Sequence, residues 1–225
     1  ILLLLLICVS SLGYQAQYLE IDASAETLLL EDDKDLAFTR KVNERYGSSD
    51  FLVLTYSPYA DLLADSTLDS LRKLSAELLE LERVESVMSI LNVPLLESPP
   101  KPIKELIKNV PTLESPGIDK ALAKKEFLNS PIYSDNLVSP DFKTTALLIN
   151  LFDDPLYREL LKQRNVLRKK EKDGSLSVLE QSKLKNVLIN FKNHRDKMRL
   201  VEHENISLVR QIAEKYRGDT RIFLG

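Results

Sequence analysis

FLVLTY, residues 51–56, is a β-rich and nearly continuous apolar run of strand length. A strand with so little alternation is covered on both faces, so it belongs in the middle of a sheet. One other segment has the same character. Residues 144–152, TTALLINLF, follow an SPD turn and read as a second strongly apolar strand.

Between these two runs, DST at 65–67 opens a helix with Ser66 as its cap and Asp69 three positions on. Leu68, Leu71, Leu74, Leu78 and Leu81 form its buried stripe. VESVMSI, residues 84–90, then sets Glu85, Val87 and Ser89 against Val84, Ser86, Met88 and Ile90, which is the pattern of a partly buried strand near a sheet edge. A proline-rich stretch over 91–116 leaves room for a short helix at 103–109, and a further helix spans 118–129.

Beyond the second apolar strand, a charged helix covers 156–172, and DGS at 173–175 makes a tight turn. Ser177 and Glu180 form a capping box for a helix that runs to about residue 201. Leu156, Leu160 and Leu167 on one arm face Leu184, Leu188, Phe191 and Met198 on the other. Two such thin apolar stripes predict an antiparallel helical hairpin with most of its surface in water. A separate compact helix carries Ile206, Val209, Ile212 and Tyr216 and ends at Gly218, and RIFLG, residues 221–225, reads as the start of a last strand.

With an insert at 91–143 and the hairpin insert at 156–201 set aside, the order is β-α-β-β-α-β. The predicted class is therefore α+β, a ferredoxin-like split β-α-β unit within residues 14–225. That topology puts its first and third strands in the centre, in agreement with the two most continuously apolar runs. It also implies that the sheet face opposite the helices is not fully wet. Either the helices between 103 and 129 or another domain is expected to cover it.

The 225 residues carry 31 Lys and Arg against 34 Asp and Glu, a net charge of -3 that argues against a nucleic-acid partner. Cys8, the only cysteine, lies in an apolar run, so neither an internal disulfide nor a cysteine-based zinc site is possible. His194 and His203 fall on nearly opposite faces of a charged helix and read as solvated surface residues rather than a metal pair. The acidic group Glu31, Asp32, Asp33 and Asp35 complements the positive end of a helix over 33–46, whose inner face carries Phe38, Val42 and Tyr46. Asp153 and Asp154 stand at a strand-to-helix junction before Pro155 rather than as an acid–base pair. GxSxG, P-loop, HExxH and glycine-rich dinucleotide motifs are all missing. The expectation is a non-enzymatic chain with no cofactor, no catalytic residue and no metal ligand.

ILLLLLICVSSLG at the beginning spans about 18 Å as a helix, roughly half of a bilayer core. It fits the outer half of a membrane-spanning helix (residues 1–13) or the remnant of an export signal, with a buried helix of a soluble domain as the third reading. No Lys or Arg occurs between Gly13 and Asp33, so its exit is non-cytoplasmic on both readings.

RYGSSDFLVLTY, LRKLSAELLELERVESVMSILNVPLL and NSPIYSDNLVSPDFKTTALLINL, in this order, resemble the first periplasmic segment of RND (resistance-nodulation-division) superfamily exporters, in their MMPL-like branch. The resemblance runs over nearly the whole chain. It implies that residues 1–13 end the first transmembrane helix and that the rest is a porter-type domain in the periplasm, at the bacterial inner membrane. It further implies proton-driven export of lipid or other hydrophobic substrates. The implied partners are the transmembrane helices and second periplasmic domain of the same transporter chain, the lipid bilayer, and further copies in a homo-oligomer. Proton-relay residues would lie in membrane helices outside this sequence, and no substrate-binding residue is assigned. The hairpin over 156–201 is longer than a porter domain needs. A secreted or membrane-anchored adaptor that binds a partner protein through this hairpin is the alternative expectation.

Overall fold

The computed structural model describes residues 50–100, 102 and 110–225, together with Phe38 and Val42. The chain divides into two compact units, Ile1–Ser48 and Ser49–Gly225, and the second holds every strand described below. Phe38 and Val42 have helical backbone, as expected for 33–46, but the rest of that helix lies outside the described residues. So do the predicted membrane segment over 1–13 and the short helix over 103–109. Among the described residues no helix is long and apolar enough to cross a membrane.

The second unit is α+β. Its elements are β1 (Phe51–Pro58), α1 (Asp65–Leu79), β2 (Val84–Met88), α2 (Lys120–Asn129), β3 (Thr145–Leu151), α3 (Pro155–Lys172), α4 (Val178–Glu214) and β4 (Thr220–Leu224). The four strands form one antiparallel sheet in the order β2-β3-β1-β4, so the two apolar runs are its central strands. One face of this sheet buries Leu54 and Tyr56 of β1, Leu147, Ile149 and Leu151 of β3, and Ile222 of β4. Leu68, Leu71, Leu74 and Leu78 of α1 and Val209 and Ile212 of α4 complete that core. Each such side chain withdrawn from water contributes roughly 1.5–3 kcal/mol, which offsets the entropy of ordering the chain.

Several local expectations change. Ser66 does not cap α1. The cap position belongs to Ala64, whose side chain offers nothing, and Asp65 lies inside the first turn. In β2, Val84 and Val87 are both buried, which strict alternation forbids. A bulge between Val84 and Ser86 absorbs the extra residue and turns both valines inward.

The largest change concerns α4. Residues 178–214 form a single helix of 37 residues, not one helix ending near 201 and a second from 206. No Gly or Pro lies between Val201 and Ile206, so nothing stops the backbone. The apolar pattern lapses there for another reason: from Lys192 to Glu204 no side chain is buried. The N-terminal half of α4 pairs with α3 in the expected hairpin. This hairpin has its own small core of Leu167, Leu184 and Val187. Leu156, expected inside, is 52% exposed. The turn is as predicted, with Gly174 in the left-handed region at φ 67° and the Ser177–Glu180 capping box complete.

The insert over 91–143 is tied down in detail. Glu126, 5% exposed, accepts hydrogen bonds from the Leu96 and Glu97 N–H groups at 2.6 and 3.0 Å. Phe127 is fully buried, edge-on to Tyr133 and stacked on Phe142. Arg72 of α1 holds Glu114, and Lys120 donates to the Leu63 carbonyl and the Asp65 carboxylate. At its end, the Leu137 carbonyl accepts from the Ala146 N–H at 2.8 Å and Val138 bridges to Thr145. The insert thus takes up the place beside β3 that β2 leaves after Met88.

Candidate functional site

The face of the sheet turned away from α1 and α4 is the first candidate. Register determines its members. Met88 lies opposite Leu148, and Leu148 opposite Val53. In the next row Ala146 faces Thr55, and Thr55 faces Phe223. In the row on the other side Ser86, Asn150 and Phe51 align. Directly opposed residues share a face, so these positions make one surface.

That surface is apolar through its middle and polar at two ends. Asn150 donates to the Ser86 hydroxyl at 2.9 Å, and Ser57 and Thr144 share a hydroxyl–hydroxyl bond of 2.7 Å. Between them lie Met88, Leu148, Val53, Ala146 and Phe223. Phe223 is 66% exposed, Phe51 57% and Met88 40%. Arg221, two residues from Phe223 on β4, is the cation of this face, and no carboxylate occupies any of the paired positions on it. Such a surface is apolar across its middle rows. It can hold an apolar partner or ligand.

The described insert does not cover this face. Its anchors go to α1 and to the sheet edge, which leaves the helix α2 on the buried side of the domain. Of the two expected covers, the helices between 103 and 129 or another domain, the helix at 120–129 packs on the buried side instead, residues 103–109 lie outside the described residues, and another domain is left as the alternative.

The second candidate is the root of the hairpin. The Leu151 N–H bonds to the Asp50 carbonyl and the Phe152 N–H to the Arg83 carbonyl, which gathers the starts of β1 and β2 around the end of β3. Asp154 follows two residues after Phe152. One of its oxygens caps α3 by accepting from the Tyr157 N–H at 2.9 Å, and the other lies 2.7 Å from His194 Nε2 on α4. Burial alone would raise the Asp154 carboxyl, but the Tyr157 and His194 hydrogen bonds, with the nearby positive groups, outweigh it and leave its pKa below 3.8. Glu202 on α4 is shifted the other way. Burial first, then the negative charges of Asp50 and Asp154, raise it above 4.5 against the opposing pull of Arg83.

His194 is therefore not the solvated surface residue expected from its charged surroundings. Its side chain is 17% exposed and pairs across the hairpin root. The partner lies 40 positions away, and no local pattern announces it. Asp153, by contrast, stays at the junction as expected and pairs with Arg158. Among the described residues no group of three His, Cys, Asp or Glu side chains could hold a metal ion.

Comparison of the chain with protein families, curated proteins and solved structures finds no match.

Proposed function

We propose that this chain is the extracytoplasmic, porter-type part of a proton-driven RND-superfamily exporter of the MMPL-like branch, and that it carries lipid or another hydrophobic substrate. The observation that supports this reading best is the open sheet face: a central band of Met88, Leu148, Val53 and Phe223, in which Phe223 and Met88 are exposed and Leu148 and Val53 half-buried. A soluble domain rarely leaves such a surface without a use. The strand order, with β1 and β3 central and the α1 and α4 helices on one face, is the order a ferredoxin-like split β-α-β unit requires. On this reading the chain is not an enzyme. It works at the bacterial inner membrane, its partners are the transmembrane helices and second periplasmic domain of its own transporter, the bilayer and further copies of itself, and it binds no nucleic acid.

The test uses the complete gene in its own host. Met88→Glu with Phe223→Glu should reach the membrane fraction at the normal level yet raise retention of a hydrophobic fluorescent dye. Export unaffected by two charges on the apolar band would remove the basis for the reading.

A second reading is favoured by one observation. Val178 and Leu179, at the hairpin tip, are 84% and 80% exposed, as a secreted or membrane-anchored adaptor gripping a partner protein would need. N-terminal sequencing of the mature protein separates the two. A start within residues 13–16, in material released from the periplasm, selects the adaptor; an intact leader in the membrane fraction selects the exporter.

A further inference from the structure

Among the described residues the most exposed large apolar side chains are Val178 and Leu179, at 84% and 80%, adjacent in the first turn of α4. They stand at the end of an arm. The 18 residues of α3 span about 27 Å, and the turn that follows carries the chain over to α4. The arm has its own core of Leu167, Leu184 and Val187, to which neither exposed residue belongs.

Around this tip the charge is opposite to that of the whole chain. Residues 166–185 carry six cations against three anions, a net charge of +3 in a chain whose net charge is -3. Glu180 is taken up by Lys170, and Glu171 and Asp173 at the turn are the remaining anions. Arg168, Lys169, Lys183 and Lys185 are exposed and have no carboxylate partner among the described residues. Lys183 follows Leu179 by four positions and Lys185 follows Val178 by seven. Each apolar side chain therefore has a lysine behind it on its own helix face, at roughly 6 and 10 Å along the axis.

We propose that the hairpin tip docks on an anionic phospholipid surface, with Val178 and Leu179 entering the interface and the lysines behind them on the headgroups. Composition selects lipid over protein. Lysine is depleted in protein–protein interfaces, whereas apolar residues backed by Lys and Arg are the pattern of helices that lie in a membrane interface. The stems of Lys183 and Lys185 lie along the submerged part of the helix while their ammonium groups stay at the phosphates. Shape points the same way. A tip of two side chains is narrow, and a soft interface admits it without a matching pocket. Interfacial apolar faces enter by about 5–10 Å, the depth over which these lysines are spread. Charge also sets the orientation. The rest of the chain, with 25 cations against 31 anions, is repelled by the same surface, so the arm meets it tip first. The tip takes lipid whether or not the domain exports anything, and in place of the protein that an adaptor would grip there.

The experiment reads the tip itself in the full chain. An environment-sensitive fluorophore is placed at Ser182→Cys, one turn behind Val178, in a Cys8→Ser background, and the same dye at Ser207→Cys, near the sheet end of α4, is the control. Vesicles of phosphatidylcholine with about 30% phosphatidylglycerol should blue-shift the tip dye and leave the control unchanged. Vesicles of phosphatidylcholine alone, and inorganic phosphate, should shift neither. Each cation near an anionic surface contributes about fivefold, so Lys183→Gln with Lys185→Gln should lower the ratio of shifted to unshifted dye about 25-fold. Val178→Ser with Leu179→Ser should abolish the shift, with circular dichroism showing the helices intact. An equal shift on neutral vesicles, or a shift that survives in the serine variant, overturns the proposal. No shift on either vesicle overturns it too and leaves the tip to a protein partner. Dye retention in cells, the readout for export, is a separate measurement, so failure of one reading is distinct from failure of the other.

Discussion

The phenol of Tyr216 donates a 2.6 Å hydrogen bond to the carboxylate of Glu77, joining the end of α4 to the last turn of α1. Lys215 grips the other oxygen of the same carboxylate at 2.7 Å. Both residues lie just past the helix end, where the chain turns towards β4, so this pair positions the edge strand as well as the helix.

Burial, then the Glu77 carboxylate, push the Tyr216 hydroxyl up to about 12. Its contribution to stability should be complete below the ordinary value of 10.0 and decline between there and about 12. Tyr216→Phe should cost about 1 kcal/mol in urea unfolding at neutral pH. In alkaline difference titration against this variant, one tyrosine should ionise near 12. A tyrosine ionising at the ordinary value in that difference would show the bond to be absent in solution.

The hairpin turn should be insensitive to mild acid. Lys170, then the Ser177 N–H and hydroxyl, hold Glu180 down to about 2. A carboxyl with a lowered pKa keeps its contribution above the ordinary 4.5 and loses it as pH falls towards about 2. Ser177→Ala removes the cap at a cost of about 1 kcal/mol. Hydrogen exchange at the start of α4 should accelerate, with the sheet amides unchanged.

Glu126 clamps the insert through two backbone N–H groups. Replacing it by Ala strands both donors in a buried place, and a loss of about 3 kcal/mol is expected from chemical denaturation. Glu126→Gln still offers one acceptor and should lose roughly half as much. Equal stability of both variants and parent would show that water replaces the clamp.

The two cores should melt as separate units. Leu147→Ala, in the fully buried centre of β3, should cost about 2–5 kcal/mol and raise exchange throughout the sheet. Leu184→Ala, in the hairpin cluster, should open α3 and the first half of α4 only. Global exchange in both variants would mean that the arm and sheet unfold together.

Much of this architecture can be read from residue order because the signals are local. The apolar runs at 51–56 and 144–152 give the central strands, and Asp173–Gly174 with Ser177 and Glu180 gives the hairpin turn. What escapes is set by contacts distant in sequence. Glu126 lies in KKEFLN, which reads as a wet helix face until Leu96 and Glu97 arrive from 30 positions away. His194 is masked in the same manner by charged neighbours. The continuity of α4 escapes because hydrophobic periodicity reports packing rather than helicity, and the stretch before Asn205 is helical without being packed. The open face is legible only in part. Alternation within FLVLTY is too weak to separate Val53 from Leu54, and register alone sorts them.

The central position of β1 has a mechanical corollary. Antiparallel neighbours grip it on both sides, β3 from Phe51 to Tyr56 and β4 from Leu54 to Pro58. Tension entering through Asp50 along the strand would load both ladders in shear, many hydrogen bonds at a time, instead of unzipping them one by one. The same end of the sheet carries the root of the arm, through the Asp50–Leu151 and Arg83–Phe152 backbone bonds, so a pull on the chain there would be shared with the strand that leads into the hairpin.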